Sequence, residues 1–110
     1  MSVFEKWLES IDKRDAEIFI DAHHEDYQFV RHQSGTTMNK SEIADMMRGM
    51  MANDDLVVKE TRCLYENDDV LVMHSIVNFP DGTSEAIIQF SELKDGKIIK
   101  TETGATLIAD

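Results

Sequence analysis

Between Leu56 and Leu107 the chain runs as four stretches of strand-forming residues divided by three tight-turn signals. This half of the sequence leaves little choice of architecture. Leu56 to Glu66 gives way to Asn67-Asp68, a pair that suits a two-residue hairpin. Asp69 to Phe79 ends in Pro80-Asp81-Gly82, and Thr83 to Leu93 ends in Lys94-Asp95-Gly96. Lys97 to Leu107 completes the series. Strands joined this tightly pair with their neighbours in opposite directions, because a parallel return needs a crossover of about a dozen residues or more. The expectation is an antiparallel meander.

The first half has a helical period. Val3, Phe4, Trp7, Leu8 and Ile11 fall on one face, and Ser2 with Glu5 makes a capping box before them. Asp12-Lys13-Arg14-Asp15 breaks the pattern. Ala16, Phe19, Ile20 and His23 restart it as a second short helix, with Asp12 or Asp15 as N-cap. Tyr27 to His32 is rich in strand formers and ends in the turn-like Gln33-Ser34-Gly35-Thr36-Thr37. Asn39 and Glu42 then open a third helix with the apolar stripe Ile43, Met46, Met47, Met50 and Met51, and Asn53-Asp54-Asp55 stops it. The order is helix, helix, strand, helix, four strands. The fold class expected is α+β. A curved antiparallel sheet wraps around three N-terminal helices, because a sheet of this kind must cover one face. Long strands coiling around helices make a cone, and a cone encloses a cavity.

The 110 residues fit a single domain, 1–110, and 42% apolar content supports a packed core. A net charge of −11 argues against nucleic acid and against anionic membrane surfaces, both of which need clustered Lys and Arg. Cys63 is the one cysteine, so no internal disulfide forms, and it is expected as a small buried hydrophobe. His23-His24 beside Glu25-Asp26 lacks the spacing of a metal site, and nothing in the sequence requires a metal or cofactor. The start of the chain mixes charged and apolar residues, and no apolar run approaches the ~20 residues that cross a bilayer. A cytoplasmic location is expected by default.

The element order, with several local features, resembles the NTF2-like superfamily, which includes SnoaL-like cyclases and ketosteroid isomerases (the cystatin-like cone fold). Those features are Trp7 in the first helix, Asp15-Ala16 opening the second, His24-Glu25-Asp26 before the first strand and Lys40-Ser41-Glu42-Ile43 opening the third helix. The hairpins Phe79-Pro80-Asp81-Gly82 and Lys94-Asp95-Gly96-Lys97-Ile98 complete the set. The resemblance implies a pocket inside the cone and a homodimer through the outer sheet face. It does not choose a function, since the superfamily holds enzymes, binding modules and adaptors. Ketosteroid isomerases place a carboxylate base near the end of the first strand, with a Tyr and a protonated acid as oxyanion donors. Here the strand ends in Val30-Arg31-His32 and the first helix offers Trp7 without a Tyr, so that set is absent.

Candidate chemistry centres on Arg31-His32. Adjacent strand residues face opposite ways, so one of the pair faces inward unless a bulge intervenes. Arg31 suits a carboxylate or enolate; otherwise it pairs with one of the chain's many carboxylates. His32 and the mid-strand His74 are the candidate general acid–base groups for isomerase or lyase chemistry. Trp7, Tyr27 and Met47 are candidate apolar contacts. Glu85, Gln89, Glu102 and Thr103 are candidate polar ones, with Gln89 and Thr103 placed in the ligand-binding set. Two functions stay open. One is a protein that binds a small hydrophobic carbonyl or carboxylate compound, with or without turnover. The other is a non-catalytic dimerisation or interaction module.

Overall fold

Each helix starts where the sequence supplies an oxygen for its free amides. In the computed structural model, which describes residues 2–108, Ser2 Oγ accepts from the Glu5 amide at 3.1 Å and the Glu5 carboxylate accepts from the Ser2 amide at 2.9 Å. This box opens α1, Val3–Asp12. Asp15 accepts from the Glu17 amide at 2.9 Å and opens α2, Ala16–Asp21. Asn39 and Glu42 form a second complete box, at 2.9 and 3.0 Å, that opens α3, Lys40–Met51. All three caps were legible from side-chain type and spacing.

Six strands follow in chain order: β1 His23–Arg31, β2 Thr36–Asn39, β3 Val57–Glu66, β4 Val70–Asn78, β5 Ser84–Lys94 and β6 Lys97–Leu107. They form one sheet in the order β2-β1-β6-β5-β4-β3. The four C-terminal strands make the expected antiparallel meander. The sheet as a whole is mixed, because β1 pairs parallel with β6 while β2 pairs antiparallel with β1. The sheet curves around the three helices, the α+β cone expected of the sequence.

Two boundaries differ from expectation. The second helix stops at Asp21, and His23 opens β1 instead of closing the helix. His23 is 2% exposed; its ring stacks on Phe19, and the Ile98 amide donates to the Ala22 carbonyl at 2.9 Å, which draws the chain into the sheet there. The segment expected as a turn over 33–37 is shorter, and Thr36–Asn39 becomes β2. Gly35 at φ 70° allows the reversal.

A first apolar cluster joins Val3, Trp7, Phe19, Tyr27, Ile43 and Met51 to Leu71, Met73 and Ile98. A second, smaller one holds Leu56, Val77 and Ile87. Cys63 is exposed, not buried as expected. It lies on the edge strand β3, where register shifts between Lys59 and Arg62 and between Cys63 and Tyr65 break the in–out alternation. Among the described residues no helix is long and apolar enough to cross a membrane.

Candidate ligand cavity and its polar row

Alternation along β5 and β6 decides what the cone contains. Glu85, Ile87, Gln89 and Ser91 point to the helix-covered face of β5, as do Thr101, Thr103 and Ala105 on β6, and Ser75 and Val77 share that face on β4. Between these strands and the helices lies a cavity of about 310 Å³. Its deep wall holds Trp7, Phe19 and Ile43, which are 5%, 6% and 3% exposed. Met38, Met46, Met47 and Met50 form one flank; their unbranched, polarisable side chains let such a wall adapt its shape. The solvent-reached end is framed by Ser34, Thr36 and Phe79.

Apart from Ser75 on β4 and the mouth residues Ser34 and Thr36, the polar groups in this cavity sit in a row. Arg31 pairs with Thr103 across β1 and β6, and Thr103 pairs with Gln89 across β6 and β5. Side chains at such paired positions stand ~5 Å apart. Arg31 Nη2 donates to both carboxylate oxygens of Glu85, at 2.8 and 3.0 Å, and to Gln33 Oε1 at 2.7 Å. The guanidinium also lies 5.9 Å from the Phe79 ring centroid, within cation–π range. Glu85 is 5% exposed, so this is a desolvated pair. Thr103 Oγ1 is buried and has no hydrogen-bond partner among the described residues. Buried hydroxyls are nearly always bonded, and an orphan costs about 1–3 kcal/mol.

Five of the eight expected site residues line the cavity: Trp7, Arg31, Met47, Gln89 and Thr103. Tyr27 does not. It is 3% exposed in the core, edge-on to His23, and burial pushes its phenol pKa up. His32 and His74 do not line the cavity either. His32 follows the inward Arg31, faces away and donates from Nε2 to Glu102 Oε1 at 3.0 Å. That bond holds the Glu102 carboxyl below the usual carboxylate range. His74 lies between the inward Met73 and Ser75 and so faces the outer surface, opposite Arg62 and Ile88. Of the four polar strand residues singled out in the sequence, Glu85, Gln89 and Thr103 face in and Glu102 faces out. The sequence offered a carboxylate partner as the alternative role for Arg31, which the structure bears out, but did not say which carboxylate. Glu85 and Gln89 share parity on one strand, which puts both on one face, but nothing local says that Arg31, some fifty positions earlier, comes to lie against Glu85.

The sequence model of the SnoaL-like domain matches residues 4–101. The chain belongs to the SnoaL-like domain family. Solved structures agree at the level of fold. An NTF2-like protein of unknown function from Mesorhizobium loti superposes with a TM-score of 0.81 at 9% identity, covering 94% of this chain and 88% of that one. A putative ketosteroid isomerase from Kribbella flavida gives 0.80 at 15% identity, covering 98% and 78%. An NTF2-like protein of unknown function from Cytophaga hutchinsonii gives 0.77 at 10% identity, covering 94% and 87%. Among curated proteins none matches the sequence. For this SnoaL-like chain, then, the neighbours establish the cone, and any statement about its ligand has to come from its own cavity.

Proposed function

We propose that this SnoaL-like protein binds a small, largely hydrophobic carbonyl or carboxylate compound inside the cone. The observation that carries the reading is the cavity itself: about 310 Å³, walled by Trp, Phe, Ile and Met, with a short row of polar groups on one side. That is the make-up of a small-molecule site, mostly apolar with a few convergent polar groups, and its volume lies at the low end of the ~300–1,000 Å³ range of such sites. Among the described lining residues there is no imidazole, thiol or carboxylate. General acid–base catalysis needs a titratable group within hydrogen-bond reach of the reacting atom. Isomerase or lyase chemistry through His32 or His74 therefore has less support than binding.

The test is a thermal-shift panel of small alicyclic and aromatic ketones and carboxylic acids. A ligand at 100 times its Kd stabilises by ~2.7 kcal/mol, a rise of several degrees for a domain of this size. The shift should vanish in Met47→Trp, which fills the cavity from the α3 side. A flat panel, or a shift that survives Met47→Trp, would sink the reading.

We propose in addition that the outer sheet face pairs with a second copy of the chain. Ile88 and Phe90, 46% and 43% exposed, lie at its centre on β5, with Val72 and Ile76 beside them on β4. Lys59 and Arg62 flank this patch on the β3 side, and Glu92, Lys100 and Glu102 flank it on the β5–β6 side. A twofold axis through the patch lays its apolar centre against the partner's. Sedimentation equilibrium at micromolar concentration should give twice the chain mass; a monomer there would remove the proposal.

A further inference from the structure

The cavity's one cation is already matched. Arg31 directs Nη2 at both oxygens of Glu85, and Glu85 is almost wholly buried. A buried, paired carboxylate cancels the guanidinium charge at close range. No other Lys or Arg lines the cavity among the described residues. An anion entering would shed its water and meet a site of zero net charge, inside a chain whose overall charge is −11. An uncharged ligand meets no such penalty. It finds the Thr103 hydroxyl without a partner and the Gln89 carboxamide beside it in the row. Among the described residues the side-chain hydrogen bonds of Arg31 all leave from Nη2.

We propose that the Arg31–Glu85 pair sets the charge selectivity of the cavity. Glu85 excludes carboxylates by cancelling the charge of Arg31, and Thr103 with Gln89 receives the single polar oxygen of a neutral ligand. This rests on the binding reading above and narrows it from carbonyl or carboxylate to carbonyl. The role of Glu85 is indirect: it acts through Arg31 and touches no ligand. Thr103 touches the ligand and supplies or accepts one hydrogen bond, which also settles its own orphan hydroxyl.

Two probes of equal shape and different charge test this. The first is 1-adamantyl methyl ketone; the second is 1-adamantanecarboxylate. The carboxylate does not absorb where tryptophan does and the ketone does so only very weakly, and Trp7, the chain's single tryptophan, lines the cavity and reports binding by fluorescence. The native protein should bind the ketone at least about tenfold more tightly than the carboxylate. Glu85→Gln frees Arg31 and should raise carboxylate affinity by about tenfold or more, with ketone affinity changed by less than about threefold. Thr103→Val, similar in shape, should weaken the ketone by about tenfold and leave the carboxylate's weaker binding nearly unchanged. Equal affinity of the native protein for the two probes overturns the charge selectivity while leaving the binding reading intact. An unchanged preference in a folded Glu85→Gln, or unchanged ketone affinity in Thr103→Val, overturns the assigned roles. Binding of neither probe to any of the three proteins removes both the inference and the reading beneath it. If Glu85→Gln does not fold, as judged by far-UV circular dichroism, the native preference and Thr103→Val still decide.

Discussion

His23 is a buried imidazole held neutral by its surroundings. Nδ1 donates to the Phe19 carbonyl at 2.6 Å, and the ring sits between Phe19 and Tyr27 at centroid distances of 4.2 and 4.5 Å. Burial pushes its pKa down to about 4, against the pull of the Phe19 hydrogen bond and with a further push from Lys40. The unfolded chain takes up this proton near pH 6.5. Between those values the unfolded state binds more protons, so stability falls as pH drops from 6.5 towards 4 and is complete above 6.5. The contribution lost is about 3 kcal/mol. His23→Gln keeps a donor for Phe19 and removes the titration. The urea midpoint of this variant should drop less between pH 7.5 and 4.5 than that of the native protein; equal drops would count against the account. The sequence showed His23 as one residue of an apolar helical stripe and as a neighbour of His24 in a group without metal-site spacing. What fixes its state is the packing of Phe19 and Tyr27 around it, and spacing does not reveal that.

Among the elements, the end of α3 depends on a residue far from it in sequence. Arg14 stands at φ 50° between α1 and α2, and its guanidinium donates to the carbonyls of Met51 at 3.1 Å, Leu56 at 3.0 Å and Asn53 at 2.6 Å. The last carbonyls of a helix have no partners within it. Arg14 supplies one for that of Met51 and, at 3.4 Å, a further bond to Met50, while its bonds to Asn53 and Leu56 tie down the loop that follows. Arg14→Met keeps the stem and removes the fork. It should lower stability by about 1–3 kcal/mol in urea titration and loosen amide exchange protection at the end of α3 first. A loss spread evenly over the molecule would show that the latch is not local. Elements whose signals lie within a few residues were legible in the sequence: the Ser2–Glu5 and Asn39–Glu42 boxes, and the turns at Asn67-Asp68, Pro80-Asp81-Gly82 and Asp95-Gly96. Four-residue β2 was not, because Thr36–Asn39 is too short to show a period and depends on β1 beside it. The parallel neighbour of β1 was hidden for a related reason. Alternation says which residues share a face and says nothing about which distant strand lies alongside.

At the scale of the whole molecule, the two faces of the sheet divide the work. The inner face builds the cavity and the outer face is proposed as the contact with a second copy. Phe90→Asp places a charge in the middle of that outer patch without entering the cavity, since Phe90 and Gln89 point opposite ways. It should shift the protein to monomer in sedimentation while leaving ketone affinity within about threefold. A dimer that survives the change would move the interface elsewhere. A buried change behaves differently: Leu71, with no exposed surface, should cost about 2–5 kcal/mol on replacement by Ala, read as a fall in the urea midpoint.

The parallel pairing of β1 with β6 also governs the order in which the molecule is assembled. The hairpins of the meander join residues a few positions apart, whereas Arg31 and Thr103 stand roughly seventy positions apart, so closing them is a slow, late event. Arg31 reaches Thr103 and Glu85 only through that closure. A transition state built on the meander alone would lack the finished binding row. A neutral ligand added during folding should leave the folding rate unchanged and slow unfolding by nearly its full stabilisation. In stopped-flow traces, one arm of the chevron would move and the other would stay in place.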